Sequence, residues 1–444
     1  MPRRADSLHF DVVIVGGSLA GCAAATLFAR RGARVAVVER SPDPDAYKRV
    51  CTHFIQPSAT PAIRRLGLAK PIEAAGGVRN STDLWSRYGW TPHDADPGAP
   101  HGYSIRRERL DPIVRKMAAE TPGVTMLLGR RVRALVQSSG RVVGVRARSS
   151  DDSEEVLGAR MVVAADGRSS DVAGLAGVPT RSWHNDRFAY WTYYADLPLR
   201  TGTTGQLWFL DPDVAYAFPN DEGLTLIALW ARLGDLPRFR RDADAVARER
   251  FARLAEAPRL EDGTRVERWL GKVDMPNIWR RPVHRGMALV GDAAQASDPL
   301  WGVGCGWAFQ SAEWLVDATA PALGDHAHLD AQLRAYARRH RSELLPHHLV
   351  ISEYSRGRRF LPFEKLMFAA GPRDAEVARH IHRFAGRLLP VHRFMSPRMM
   401  LRAGAAVAAP RRSRPGVRTL RRRPEVRARI PRSGLRAGLG DPPE

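Results

Sequence analysis

Hydrophobic positions change their rhythm along the chain, and each rhythm predicts a different element. Near the start, Phe10-Asp11-Val12-Val13-Ile14-Val15 and Arg34-Val35-Ala36-Val37-Val38 are β-branched and largely apolar without alternation, the pattern of strands buried on both faces of a parallel sheet. Between them lies a helix whose small-residue face, Gly21, Ala24 and Ala25, allows close packing on that sheet; Arg30-Arg31-Gly32 stops it, with the glycine as C-cap. Met161 to Ala165 and the run from Arg280 to Val290 read as further strands of this kind. In the middle the rhythm switches to period two and turns aromatic. Phe188 to Tyr194, Gln206 to Leu210, Val214 to Phe218 and Leu224 to Trp230, separated by Asp-Pro, Asn-Asp and Gly turns, read as antiparallel strands of one sheet. From about residue 331 the pattern is helical, running from Leu329 through Leu344 and then amphipathic from Phe360 to Leu389.

The ends of the buried strands carry the candidate chemistry. The first runs into Gly16-Gly17-Ser18-Leu19-Ala20-Gly21 and a helix, and the second closes at Glu39. This is a βαβ unit of the dinucleotide-binding kind: backbone N–H groups at the helix start take a pyrophosphate, and the carboxylate takes ribose hydroxyls. Ser18 stands where the G-x-G-x-x-G fingerprint has its second glycine; it is small enough for a phosphate to approach and can add a hydrogen bond. A later strand ends in Asp166-Gly167-Arg168-Ser169-Ser170. The last ends in Gly291-Asp292-Ala293-Ala294, followed by Asp298-Pro299-Leu300-Trp301-Gly302-Val303-Gly304-Cys305-Gly306 and a long helix. A strand ending in Gly-Asp can aim a carboxylate at a sugar-alcohol chain, and the helix start behind it suits the negative charge on the N1–C2=O edge of a reduced flavin.

The order of these three turns resembles the group A flavoprotein monooxygenases, the para-hydroxybenzoate hydroxylase-like family, which shades into halogenases and geranylgeranyl reductase-like enzymes. The likeness covers roughly residues 8 to 330 and implies FAD as cofactor. It implies that Gly16, Ser18, Leu19, Ala20 and Gly21 cradle the pyrophosphate, that Glu39 binds the adenosine ribose and that Asp292 binds the ribityl chain. It places Gly302, Val303 and Gly304 against the isoalloxazine, Arg107 in contact with the flavin at the start of a helix, Val132 at the adenine and Asp166 in the second motif. Arg49 matches a basic residue near the pyrophosphate and the nicotinamide cofactor's approach, and Cys51-Thr52-His53-Phe54 the loop beside the flavin ring. Ala173 stands where the second motif ends in arginine, which puts direct reduction by NAD(P)H in doubt and keeps a separate flavin reductase open as electron source. Gln295 replaces a histidine.

The expected fold class is therefore α/β: a discontinuous Rossmann-like FAD-binding domain (8–180, with a small excursion near 81–100, and 276–330) with an inserted antiparallel substrate sheet over 181–275. A helical C-terminal region over 331–409 and a basic, disordered tail over 410–444 complete the chain. With 444 residues it can bury a large core. The net charge of +22 suggests nucleic acid or an anionic membrane as partner, but nearly all of it is arginine spread along the chain, so neither is expected. The local exception is the tail, with eleven arginines after Pro410 against Glu425, Asp441 and Glu444. Cys22, Cys51 and Cys305 give neither a disulfide framework nor a zinc pattern, which fits a reducing cytoplasm, and no apolar run is long enough to span a membrane.

The function this implies is an FAD-dependent monooxygenase acting on an aromatic or polyketide-like small molecule through a flavin hydroperoxide, with NAD(P)H as electron donor. A reductase or halogenase of a lipophilic substrate on the same fold is the alternative. No Trp-x-Trp-x-Ile-Pro halogenase motif is present, and Lys48 near the flavin loop is poor evidence without it. Trp191, Tyr193, Trp208, Tyr216 and Trp230 are candidates for an aromatic wall, although each by itself reads more readily as sheet packing. His53 is the catalytic candidate for proton handling, since it is the ionisable side chain near the ring with a suitable unperturbed pKa.

Overall fold

The structure, a computed structural model, describes residues 8–96 and 98–410; beyond Pro410, the expected basic tail lies outside them. The unalternating blocks form the middle of an eight-stranded sheet. Parallel strands run in the order Met287–Leu289, Glu154–Ala164, Leu8–Val15, Val35–Glu39, Val124–Leu128. Because all five point the same way, the three turns emerge at one edge, and the backbone ties them there. Gly16 N–H donates to the Val38 carbonyl at 2.8 Å, Ala165 N–H to Val15 at 2.8 Å and Val290 N–H to Ala164 at 3.0 Å. That carboxyl edge is where open α/β sheets bind ligands. The Arg280 to Val290 run is not one strand: a turn at Arg285-Gly286, both at positive φ, folds Val283–His284 back on Met287–Leu289.

The period-two segment forms a second eight-stranded sheet in the order Thr264–Arg265, Arg187–Ala195, Thr225–Arg232, Val214–Pro219, Gly205–Phe209, Thr82–Ser86, Gly89–Thr91, with Leu270–Lys272 also on Arg187–Ala195. It is mixed rather than purely antiparallel. The excursion near 81–100 supplies its last two strands, and Thr82–Ser86 runs parallel to Gly205–Phe209.

Alternation sorts this sheet into two faces, because successive side chains point to opposite sides. Trp191, Tyr193, Leu207, Phe209, Tyr216, Phe218 and Trp230 pack on one face, under Phe360, Met367, Val377, Ile381, Phe394 and Met399 of the C-terminal region. Phe188, Tyr194, Trp208, Ile227 and Leu229 pack on the other, against Phe239, Val246 and Phe251. Trp208 therefore leaves the expected aromatic wall: it lies between Leu207 and Phe209, whose side chains define the near face. The expected helices follow as His326–Tyr354, Pro362–Ala370, Ala375–Ala385, Val391–Phe394 and Pro397–Ala408.

Candidate active site

The first turn is built around absent side chains. A Cβ on Gly16 would stand 2.4 Å from the Ala165 carbonyl oxygen, and one on Gly21 would stand 1.8 Å from that of Gly16. Any other residue would push the first helix off the sheet. Ser18 is the N-cap of the Leu19–Ala29 helix, yet its side chain makes no capping bond. It accepts instead from Arg107 Nη2 at 2.9 Å, and the N–H groups of Leu19, Ala20 and Gly21 face the space where a helix start leaves donors without intrahelical partners. Glu39 reaches back under the turn and accepts from Gly17 N–H at 2.6 Å and Ser41 N–H at 2.9 Å. Arg130 N–H donates to the Glu39 carbonyl at 2.9 Å, which brings Val132, buried on Arg131–Ser138, close to the end of that strand.

Asp166 is engaged by its own loop: its carboxylate accepts from Ser170 Oγ at 2.6 Å and Val172 N–H at 3.0 Å, while burial raises its pKa. Ala173 is buried in the short helix that this loop begins. Arg168 donates to the Ser297 carbonyl at 3.2 Å and Arg280 to the Arg168 carbonyl at 2.9 Å, so the second motif is braced against the third.

At the third turn, Gly302 sits at φ 60 as N-cap of the Val303–Thr319 helix, where a Cβ would meet Phe54 at 2.8 Å; Gly304 stands next, beside Asp292. Asp292 pairs with Lys48 Nζ at 2.9 Å. Burial pulls its carboxyl upward, but Lys48, Arg168 and Arg107 outweigh this and hold it below the usual carboxylate range. Arg107 opens its helix as expected and links the turns. It forks onto Asp111 at 2.6 and 2.9 Å, reaches Ser18, and extends Nη1 toward Cys305 Sγ at 3.8 Å. Asp111 also accepts from Lys48 N–H at 2.9 Å, fixing the loop that carries Arg49, which is exposed.

His53 is buried at φ 56, its Nδ1 in hydrogen-bond contact with the Tyr193 hydroxyl and its ring stacked on the tyrosine at 5.7 Å. It does not keep an ordinary pKa. Burial, reinforced by Arg107 and Arg106, pushes it down to about 3, so the imidazole is neutral at pH 7. Tyr193, pushed well above its usual value by burial, is neutral as well.

Beside this loop a cavity of about 430 Å³ runs between the near face of the inserted sheet and the C-terminal helices. Thr52, Phe54 and Trp301-Gly302 line its end at the third turn, Leu84, Leu207, Phe209, Tyr216 and Phe218 its wall, and Arg79, Arg379 and Arg383 are among the polar groups around it. Sequence reasoning missed the Tyr193 partner, Asp111 and Arg106, which is buried with Asp221 at 2.9 Å. The Arg107 to Asp111 spacing of one helical turn was the only local signal among them.

Residues 9–343 match the FAD binding domain family. The chain belongs to that family. It is 30% identical over 320 residues to a menaquinone reductase of Mycobacterium tuberculosis, covering 68% of this chain and 74% of that one. It is 31% identical over 330 residues to a 6-methylpretetramide 4-monooxygenase of Streptomyces rimosus, covering 69% and 74%. Its fold matches the flavin-dependent brominase Bmp2 with a TM-score of 0.72 at 17% identity, covering 89% and 98%. The protein is an FAD-dependent oxidoreductase, and none of the helices among the described residues is long and apolar enough to cross a membrane.

Proposed function

We propose that this flavoprotein is a monooxygenase that hydroxylates an aromatic or polyketide-like small molecule, with electrons from NAD(P)H or a separate flavin reductase. The carrying observation is the cavity, which meets the flavin cradle at Thr52, Phe54 and Gly302 and is walled by aromatic and aliphatic side chains. Its volume is in the range that encloses a small multi-ring ligand. The cradle fits FAD: the glycines leave no room for side chains at the first turn, two helix starts present donors, and the Glu39 and Asp292 carboxylates at the strand ends would hold the ribose and the ribityl chain. Bound there, FAD would supply dioxygen activation and oxygen transfer.

The chain's own residues then position and exclude. Phe54, Phe209 and Phe218 keep water from the ligand, and the Val303–Thr319 helix start favours negative charge at its N-terminal end. His53 and Tyr193 form a neutral acceptor and donor couple directly behind Thr52 and Phe54 of the cavity, and are the pair proposed to handle a proton without leaving a buried charge. A second reading, reduction of a lipophilic substrate, is favoured by the apolar wall and by the menaquinone reductase relative.

Turnover under isotopically labelled dioxygen separates the two. One labelled oxygen in the product supports the monooxygenase; a product that gains two hydrogens and no oxygen overturns it. An anaerobic spectrum during NADPH and then NADH addition identifies the donor, and a flavin that neither bleaches points to a separate reductase.

A further inference from the structure

Cys51 and Cys305 are 254 residues apart in the chain and meet at the flavin cradle with their sulfurs at 3.9 Å. Cys305 lies in the first turn of the Val303–Thr319 helix, so the positive end of that helix faces the pair. His53 N–H points at Cys51 Sγ at 3.3 Å, and Arg107 Nη1 at Cys305 Sγ at 3.8 Å. The Cys305 thiol as donor, followed by the Arg107 and Lys48 charges, outweighs burial and holds the Cys51 thiol below its usual range. Cys22 is the internal contrast: fully buried in the first helix, it is pushed up to about 12 by desolvation.

We propose that Cys51 and Cys305 form a peroxide-sensitive dithiol that closes reversibly to a disulfide across the flavin cradle. The oxidant is hydrogen peroxide, which oxygen-activating flavoproteins release when reduced flavin meets dioxygen without substrate; that source rests on the function proposed above, the thiol chemistry does not. The Cys51 thiolate attacks one peroxide oxygen, the O–O bond breaks, and sulfenic acid and hydroxide form. Cys305 then attacks the sulfenic sulfur; the S–S bond forms and, with the Cys305 proton, the sulfenic oxygen leaves as water. Sulfur is oxidised and peroxide reduced by two electrons in total. Bond formation draws the sulfurs from 3.9 Å to about 2 Å, pinning the Lys48 to His53 segment on the helix start. An external dithiol reverses it.

The test exposes the full chain, with and without bound FAD, to hydrogen peroxide, alkylates the remaining thiols and maps peptides without reduction. The expected result is a Cys51–Cys305 cross-linked peptide that dithiothreitol abolishes, formed at least about tenfold faster than Cys22 is modified. In Cys305→Ser, dimedone should trap a sulfenic acid at Cys51; in Cys51→Ser, Cys305 should stay a free thiol. Equal oxidation rates for Cys51 and Cys22, or advance of Cys51 to sulfinic acid in the unaltered protein without cross-linking, would overturn the proposal. Purified protein without a flavin spectrum would sink the proposed function instead, and the cross-link in the FAD-free chain would still be read.

Discussion

Both faces of the inserted sheet are aromatic and buried, but they treat their polar tips differently. On the far face Trp208 Nε1 donates to the Ala255 carbonyl at 2.9 Å and Trp269 Nε1 to Asp244 at 2.8 Å. On the near face Trp191 Nε1, Trp230 Nε1 and the Tyr216 hydroxyl have no partner among the described residues; on the far face Trp90 Nε1, whose ring packs on Trp208, and Gln206 Oε1 share that condition. Buried polar groups without partners cost stability. Of these, Tyr216 lines the cavity and packs on the Trp230 ring, so the near face is the one that offers an unpaired hydroxyl to a ligand.

Acid should part the two faces most. The near-face cover rests on the His326–Tyr354 helix through His347, whose ring lies tilted against Phe384 and meets Arg387 Nη1 at 3.2 Å. Burial pushes His347 and His340 down to about 3 and His348 to about 4, while the far-face helices over 236–252 contain no histidine. Below the unfolded pKa of about 6.5 the unfolded chain takes up these protons and the fold does not. Stability is therefore full above that pH and falls as pH drops towards the folded values, by roughly 2 kcal/mol per histidine at pH 5. Hydrogen exchange should show the Ala375–Ala385 helix losing protection before Ala243–Ala252; simultaneous loss would break the contrast.

Truncating Trp230 or Trp208 to Ala should cost about 3–5 kcal/mol in either case by urea unfolding. Only Trp230→Ala should also weaken ligand binding, because Tyr216, which lines the cavity, rests on the Trp230 ring at 4.6 Å. A milder pair sharpens the point. Trp208→Phe leaves the Ala255 carbonyl without its donor and should cost about 1 kcal/mol more than Trp230→Phe, which removes no hydrogen bond. The smallest effect on stability belongs to Tyr216→Phe, within about 0.5 kcal/mol. A drop of about tenfold in affinity for a hydroxylated aromatic ligand, read by flavin absorbance on titration, would mark its hydroxyl as a ligand contact; unchanged affinity would return Tyr216 to plain packing.

Period-two alternation should have exposed the misplaced Trp208, since one step along a strand reverses the face. Trp208 shares its strand with Leu207 and Phe209, and all three cannot face the same side. The Arg280 to Val290 run failed for a different reason: Arg285 adopts φ 47 within a pattern that otherwise reads as strand, and Gly286 alone carried the turn signal.

What the sequence determined by itself was local. Unalternating β-branched blocks, glycines where a Cβ has no room, and acids at strand ends follow from backbone sterics and side-chain direction within a few residues, and these were enough for the parallel sheet and a dinucleotide-binding turn, while the order of the three turns carried the resemblance that implied FAD. Only the tertiary structure decided the pairs that give the site its charge and proton states. Lys48 meets Asp292 across 244 residues, Cys51 meets Cys305 across 254 and His53 meets Tyr193 across 140. A pKa is set by burial and by the charges that surround it in space, so the shift of His53 to about 3 has no counterpart in its neighbours along the chain.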